Sequence, residues 1–229
     1  MKKTTIYIVY LLFIFYLVGC STGDSSDNHP ASITEQNHKE IEGNFLASIQ
    51  PVETSISIAS VGDLRIHSRV YDDAEQADGS YNFLPMFEEV QAYLKEPTIT
   101  MANQETIMGG KEIGLSTYPQ FNSPFELGDN LKELGVDIVT MANNHTLDRG
   151  EIAIHNAIGY YDKIGMLYTG SFKDEEDQKQ IRVIEEEGIR VSFLSYTYGT
   201  NGIPVPEGKD YLVNLIDKEL MEREIKEAE

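Results

Sequence analysis

The sequence predicts an α/β fold, and two observations carry that prediction. From about Thr54 onward, apolar runs of strand length alternate with amphipathic helical patterns. Three successive strand runs also finish in polar clusters. Open α/β sheets place their ligands at the carboxyl ends of their strands, and the densest cluster, Asn143-Asn144-His145-Thr146-Leu147-Asp148, falls at such an end.

The elements follow in order. Ser55 to Val61 alternates with period two and reads as a strand running into Gly62-Asp63, with His67 close behind. Asp72 to Gly79 reads as a polar loop. Phe83, Met86, Phe87, Val90 and Leu94 recur at helical spacing and predict a helix from Phe83 to Lys95, stopped by Pro97. Thr98 to Ala102 is the second strand, ending in Asn103-Gln104-Glu105. Gly109-Gly110 and Tyr118-Pro119 mark a long loop expected on the surface.

Ser123-Pro124-Phe125-Glu126 has the form of a capping box opening a second helix, which Gly135 closes. Val136 to Ala142 is the third strand. Ile152, Ile154, Ala157, Ile158, Tyr161 and Ile164 outline the third helix, closed by Gly165. Met166 to Thr169 reads as a strand and Lys173 to Lys179 as a charged turn. Ile181 to Ile184 and Ile189 to Tyr196 form strands around Glu187-Gly188. A Gly/Pro-rich loop from Thr197 to Lys209 precedes a helix from Asn214 to Glu229, with Asp217 suited to its first turns. The alternation argues for a sheet sandwiched between helices.

The first nineteen residues read as a leader. Lys2 and Lys3 precede an apolar run from Ile6 to Val18, too short for a membrane span but suited to a signal-peptide core. Leu17-Val18-Gly19-Cys20 resembles a bacterial lipobox, which makes Cys20 the expected lipidation site and residue 1 of the mature protein. Residues 20–53 are rich in small and polar side chains and read as a solvated tether. Residues 54–229 are the patterned domain. Cys20 is the only cysteine, so no intramolecular disulfide can form. The formal net charge of −20 argues against nucleic acid as a partner and against direct adhesion to an anionic membrane, leaving anchoring to the lipid.

In a parallel sheet the ends bearing Asp63, then Asn103 with Glu105, then Asn144 with His145 lie side by side. That mixture of oxygen donors and imidazole suits Mn, Fe, Zn or Mg, and two such ions could activate a phosphoester. Plainer readings exist: Gly-Asp forms turns, and Asn-Asn-His can cap a helix. His67 could reach the edge or lie on the surface, and His155 reads as solvated. Asp148 reads as structural, holding the loop or starting the helix. Tyr196, Tyr198 and Asn201 could line a pocket.

The segments SVGDLRIH, MANQET, YPQFNSPFELGDNLKELGVDIVTMANNHTLDRG and YTYGTNG resemble the bacterial poly-γ-glutamate capsule-synthesis (CapA-like) family, from about Ile56 to the last residue. That family is similar to calcineurin-like metallophosphoesterases. The resemblance implies a four-layer αββα sandwich, incomplete at the C-terminus, with a di-metal edge. It implies Asp63, Glu105 and Asn144 as metal ligands, His67 as a substitute ligand, and His145 directed at a phosphoryl oxygen. Asn103, Tyr198 and Asn201 would then face substrate. It further implies a surface lipoprotein at the extracellular face of the membrane, working with a capsule synthase complex or a cell-wall polymer. The alternative is a non-catalytic binding or scaffold protein. One departure stands out: the superfamily's first motif has His two residues after the Asp, where this chain has Arg65. The family's His-Trp-Gly-x-Glu and Gly-x-His-Pro-His segments are expected beyond Glu229, so the chain by itself is expected to be inactive or poorly folded.

Overall fold

The computed structural model describes residues 53–229; the leader, Cys20 and the tether lie outside the described residues. Strands β1 (Ile58–Val61), β2 (Ile99–Asn103), β3 (Ile138–Thr140) and β4 (Leu167–Thr169) form one parallel sheet in sequential order. Met101 pairs with Ile138 and Ala102 with Val139, so the strand ends are level.

Sequential order has a direct consequence. Right-handed crossovers between neighbouring parallel strands bring every connecting helix to the same face. Ala102, Val139 and Tyr168 accordingly share the main core with helices α1 (Ser68–Ala74), α4 (Glu126–Glu133) and α5 (Gly150–Ile164). Side chains alternate across a strand. Ile99 and Ile138 therefore point the other way, into a second cluster with Phe193 that is flanked by Ile184 and Val191. Those residues come from the antiparallel hairpin β5 (Arg182–Glu186) and β6 (Ile189–Phe193), turned at Glu187-Gly188 with positive φ at both. The expected helices on both faces give way to helices on one face and a hairpin on the other. Helix, sheet and hairpin thus form three layers among the described residues.

Several local expectations change. The helix from Phe83 to Lys95 is broken into α2 (Leu84–Phe87), a 3₁₀ turn at Glu88–Val90 and α3 (Gln91–Lys95). A 3₁₀ turn takes three residues rather than 3.6, so the apolar stripe slips: Phe83 and Leu94 are buried while Met86 and Val90 are exposed. The segment before Gly79, read as loop, begins with α1. The charged turn contains α6 (Glu175–Gln178), capped by Asp174. The last helix, α7 (Lys218–Ala228), starts later than expected and is capped by Asp217, whose carboxylate accepts from the Leu220 N–H at 2.7 Å. Among the described residues no helix is long and apolar enough to cross a membrane.

The loop after β2 is the largest correction. Gly109-Gly110 is buried rather than surface-lying, as are residues 104–108 and 121–124, while Tyr118-Pro119 does lie at the surface. Asn122 makes that burial affordable, since buried backbone groups need partners. Its Oδ1 accepts from Gly109 N–H at 2.8 Å, and its Nδ2 donates to the carbonyls of Gly110 at 2.8 Å and Gly114 at 2.9 Å. Arg149 donates to the carbonyls of Ile113 and Gly114. Ser123, expected to cap α4, instead donates from Oγ to the Ile107 carbonyl at 3.1 Å. The helix begins at Glu126 with no side-chain cap. Gly135, with φ of 87°, does close it.

Candidate functional site

Two polar corners form at the carboxyl ends of the strands. The first is built by β1 and β2. Arg65 lays its guanidinium across Glu105, with Nε donating to Oε2 and Nη2 donating to Oε1 at 2.8 Å. The same Nη2 lies 3.4 Å from Asp63 Oδ2. Asn103 donates from Nδ2 to Asp63 Oδ1 at 2.7 Å, and its own Oδ1 accepts from Thr140 at 3.1 Å. The Glu105 side chain is 5% exposed and that of Arg65 is 48% exposed. A buried carboxylate is thus neutralised by a half-solvated cation.

The second corner follows β3. Thr146 Oγ accepts from Asn143 N–H at 2.9 Å and donates towards the Met141 carbonyl at 2.5 Å, curling the chain into a tight turn. Asn143 Oδ1 accepts from His145 N–H at 2.9 Å, and Asn143 Nδ2 donates to the Gln104 carbonyl at 3.0 Å, tying the turn to the end of β2. His145 Nδ1 lies 2.7 Å from Asp148 Oδ2, and both side chains are buried. The carboxylate beside Nδ1 selects the Nδ1–H tautomer or the imidazolium and leaves Nε2 for chemistry. Asp148 Oδ2 also accepts from Phe121 N–H at 2.7 Å. Burial pushes the Asp148 carboxyl above its usual range, against the opposing pull of the Phe121 and His145 hydrogen bonds.

Gly170, immediately after β4, shapes this corner from beneath. A Cβ there would stand 2.7 Å from Ala142 Cβ and 2.9 Å from Ala142 N, and its φ is 87°. Only glycine allows the two strand ends so close together.

The expected residues are therefore brought to one edge, but in two groups. Asp63, Asn103 and Glu105 meet around Arg65. Asn144 joins His145 through Asn201: Asn144 Nδ2 donates to Asn201 Oδ1 at 3.2 Å, and Asn201 Nδ2 lies 3.4 Å from His145 Nδ1. An open cleft of about 500 Å³ is lined by Tyr118, Gln120, Asn144, His145, Asp148 and Asn201. His67 does not join the carboxylates; its Nδ1 is 3.2 Å from Thr117 Oγ1 and its ring packs edge-to-face on Phe121. Phe121 packs the same way on His145. Tyr198 is 79% exposed. Tyr196 turns away and donates to Glu224.

Asp148 does hold the loop, as expected, but it also orients the histidine. The spacing of His145 and Asp148, three residues apart, was the available signal. Arg65 was visible as a departure from the motif; its hold on both carboxylates was not, because Glu105 lies forty residues away.

The residues as arranged do not fit a di-metal centre. Both Glu105 oxygens and both Asp63 oxygens are engaged by Arg65 and Asn103. Among the described residues no three His, Cys, Asp or Glu side chains are grouped closely enough to hold a metal ion.

A four-stranded parallel sheet with helices on one face and a hairpin on the other, its polar residues gathered at the carboxyl edge, is an α/β architecture consistent with the metallophosphoesterase-like class. The family model for the bacterial capsule synthesis protein PGA_cap matches residues 57–229, and the chain belongs to that family. It is also similar to the uncharacterized proteins y4sH and y4uA of Sinorhizobium fredii (strain NBRC 101917 / NGR234). Each is 26% identical over 117 residues, which is 48% of this chain and 25% of the relative. The chain thus spans about a quarter of the length of these curated relatives.

Proposed function

We propose that this capsule-synthesis protein works at the extracellular face of the membrane, anchored by lipid on Cys20, and handles a phosphoester at the edge carrying His145. The polymer under this reading is poly-γ-glutamate, and the partner is the capsule synthase complex. The observation that carries the reading is the His145–Asp148 pair, buried, held at 2.7 Å and opening on a cleft. A histidine held at Nδ1 by a carboxylate can, as the imidazolium, donate its Nε2 proton to a leaving-group oxygen as general acid. Asn144 and Asn201 offer amide groups to the phosphoryl oxygens beside it. Under this reading a divalent ion (Mn, Fe, Zn or Mg, one or two) would reach Asp63 and Glu105 only in exchange for Arg65.

Capsule yield in a strain whose capsule depends on this protein tests the reading. H145A and N144A should abolish capsule while leaving the protein at wild-type level on the cell surface. Undiminished capsule with both substitutions would sink the catalytic reading. One observation favours a second reading, a non-catalytic scaffold for a cell-wall polymer: Arg65 satisfies both carboxylates internally. Under that reading H145A leaves capsule intact, while the domain still binds the polymer.

A further inference from the structure

We propose that the cleft beside His145 takes the neutral, hydroxyl-bearing part of its substrate, so that the phosphoester handled at this edge is a glycosyl phosphate. The inference rests on the phosphoester reading of the His145–Asp148 pair and adds the class of group to which the phosphate is joined.

The argument begins with charge. No lysine or arginine lines the cleft of about 500 Å³. Three cations on the segments that build the edge are committed elsewhere: Arg65 to Glu105 and Asp63, Arg149 to the Ile113 and Gly114 carbonyls, and Lys209 to Glu151. An imidazolium at His145 is balanced by Asp148, whose Oδ1 is enclosed and has no hydrogen-bond partner. That pair carries no net charge, and the chain as a whole carries −20. A run of carboxylates entering here meets a repelling field and no counter-charge. The poly-γ-glutamate chain itself is therefore kept out of the cleft.

What the cleft offers instead is a set of amides beside one aromatic ring. Gln120, Asn144 and Asn201 each bring a carbonyl oxygen and an NH₂ to the lining. A sugar hydroxyl is donor and acceptor at once, and an amide answers both. Asn144 and Asn201 spend one contact on each other, at 3.2 Å, and retain the rest. Tyr118 is 71% exposed and meets Phe121 edge-on at 6.4 Å, so most of its ring is open. A pyranose uses both features together, laying its C–H bonds on an aromatic face and turning its hydroxyls to planar polar groups. A flat apolar ring would use Tyr118 and leave the amides unpaired. A γ-glutamyl chain would use the amides and find no cation.

Titration of the purified chain with methyl phosphate, phenyl phosphate, glucose 1-phosphate and tri-γ-glutamate tests this without turnover. The side-chain NH₂ signals of Gln120, Asn144 and Asn201 in ¹⁵N spectra report binding. Glucose 1-phosphate should bind about tenfold more tightly than methyl or phenyl phosphate, as one or two added hydrogen bonds allow. Tri-γ-glutamate should shift none of these signals. Y118A should lose most of the glucose 1-phosphate advantage at unchanged methyl phosphate affinity, while Y118F, which keeps the ring, should bind like wild type. Circular dichroism establishes that both variants are folded. Equal affinity for glucose 1-phosphate and either control, an advantage unaltered in Y118A, or shifts with tri-γ-glutamate overturns the glycosyl assignment and leaves the phosphoester reading standing. No shift with any of the three phosphates sinks the phosphoester reading, and the inference with it.

Discussion

The two corners of the sheet edge are built on opposite principles. In the histidine corner the groups that hold the imidazole are enclosed and bonded to backbone: Asp148 holds both the His145 ring and Phe121 N–H, Asn143 holds His145 N–H, and Thr146 locks the turn. In the carboxylate corner a single half-exposed side chain, Arg65, does most of the holding. The first geometry is set by folding itself. The second is set by a long side chain that solvent can compete for. One edge of the sheet thus carries a rigidly held imidazole beside a charge balance that solvent can reach.

That contrast can be broken by measuring what each corner costs to dismantle. Asp148→Ala strands a buried imidazole and a buried N–H together, and should destabilise the chain by about 3–5 kcal/mol in urea unfolding. Gly170→Ala forces a Cβ against the end of β3 at a positive φ, and should cost about 1–3 kcal/mol. Arg65→Gln should cost about 1–2 kcal/mol, less than Asp148→Ala, because water can enter the half-exposed space that the guanidinium leaves and solvate Glu105. If Arg65→Gln costs as much as Asp148→Ala, the carboxylate corner is as rigid as the other and the contrast fails.

Glu224, far along the chain, sharpens the point with the smallest effect. It is a buried carboxyl whose partner is the Tyr196 hydroxyl. Burial raises its pKa from the ordinary 4.5, the Tyr196 and Arg223 contributions opposing. With a folded-state pKa above the unfolded one, its stabilising contribution is complete below the unfolded value and is lost as pH rises through the folded value. E224Q keeps the acceptor and removes the charge. Its advantage over wild type should therefore be absent at acid pH, appear as pH rises above 4.5, and level off once pH has passed the folded-state value. Thermal unfolding across that range reads it directly.

The order of elements was legible because it rests on periodicity, which hydrophobic burial enforces directly. Ile99 and Ile138 facing one way, with Ala102 and Val139 facing the other, is what alternation in sequence predicts. The helix from Phe83 to Lys95 misled for the same reason: a stripe at helical spacing fixes which residues are apolar, not whether the turn between them is tight. Gly109-Gly110 was misread as surface, while Tyr118-Pro119 does lie there, because the burial of the glycines depends on Asn122 satisfying backbone from a distance. At the site, Asp63, Glu105 and His145 were legible as strand ends. The pairing of Arg65 with Glu105 was not, since nothing local in sequence connects them.

Phe121 carries a consequence of its own. Its amide hydrogen is held by the carboxylate that holds His145. That hydrogen can exchange with deuterium only when Asp148 lets go, and the same opening frees the imidazole. The exchange rate of one backbone amide therefore counts how often the histidine corner comes apart, with no ligand or turnover needed to see it.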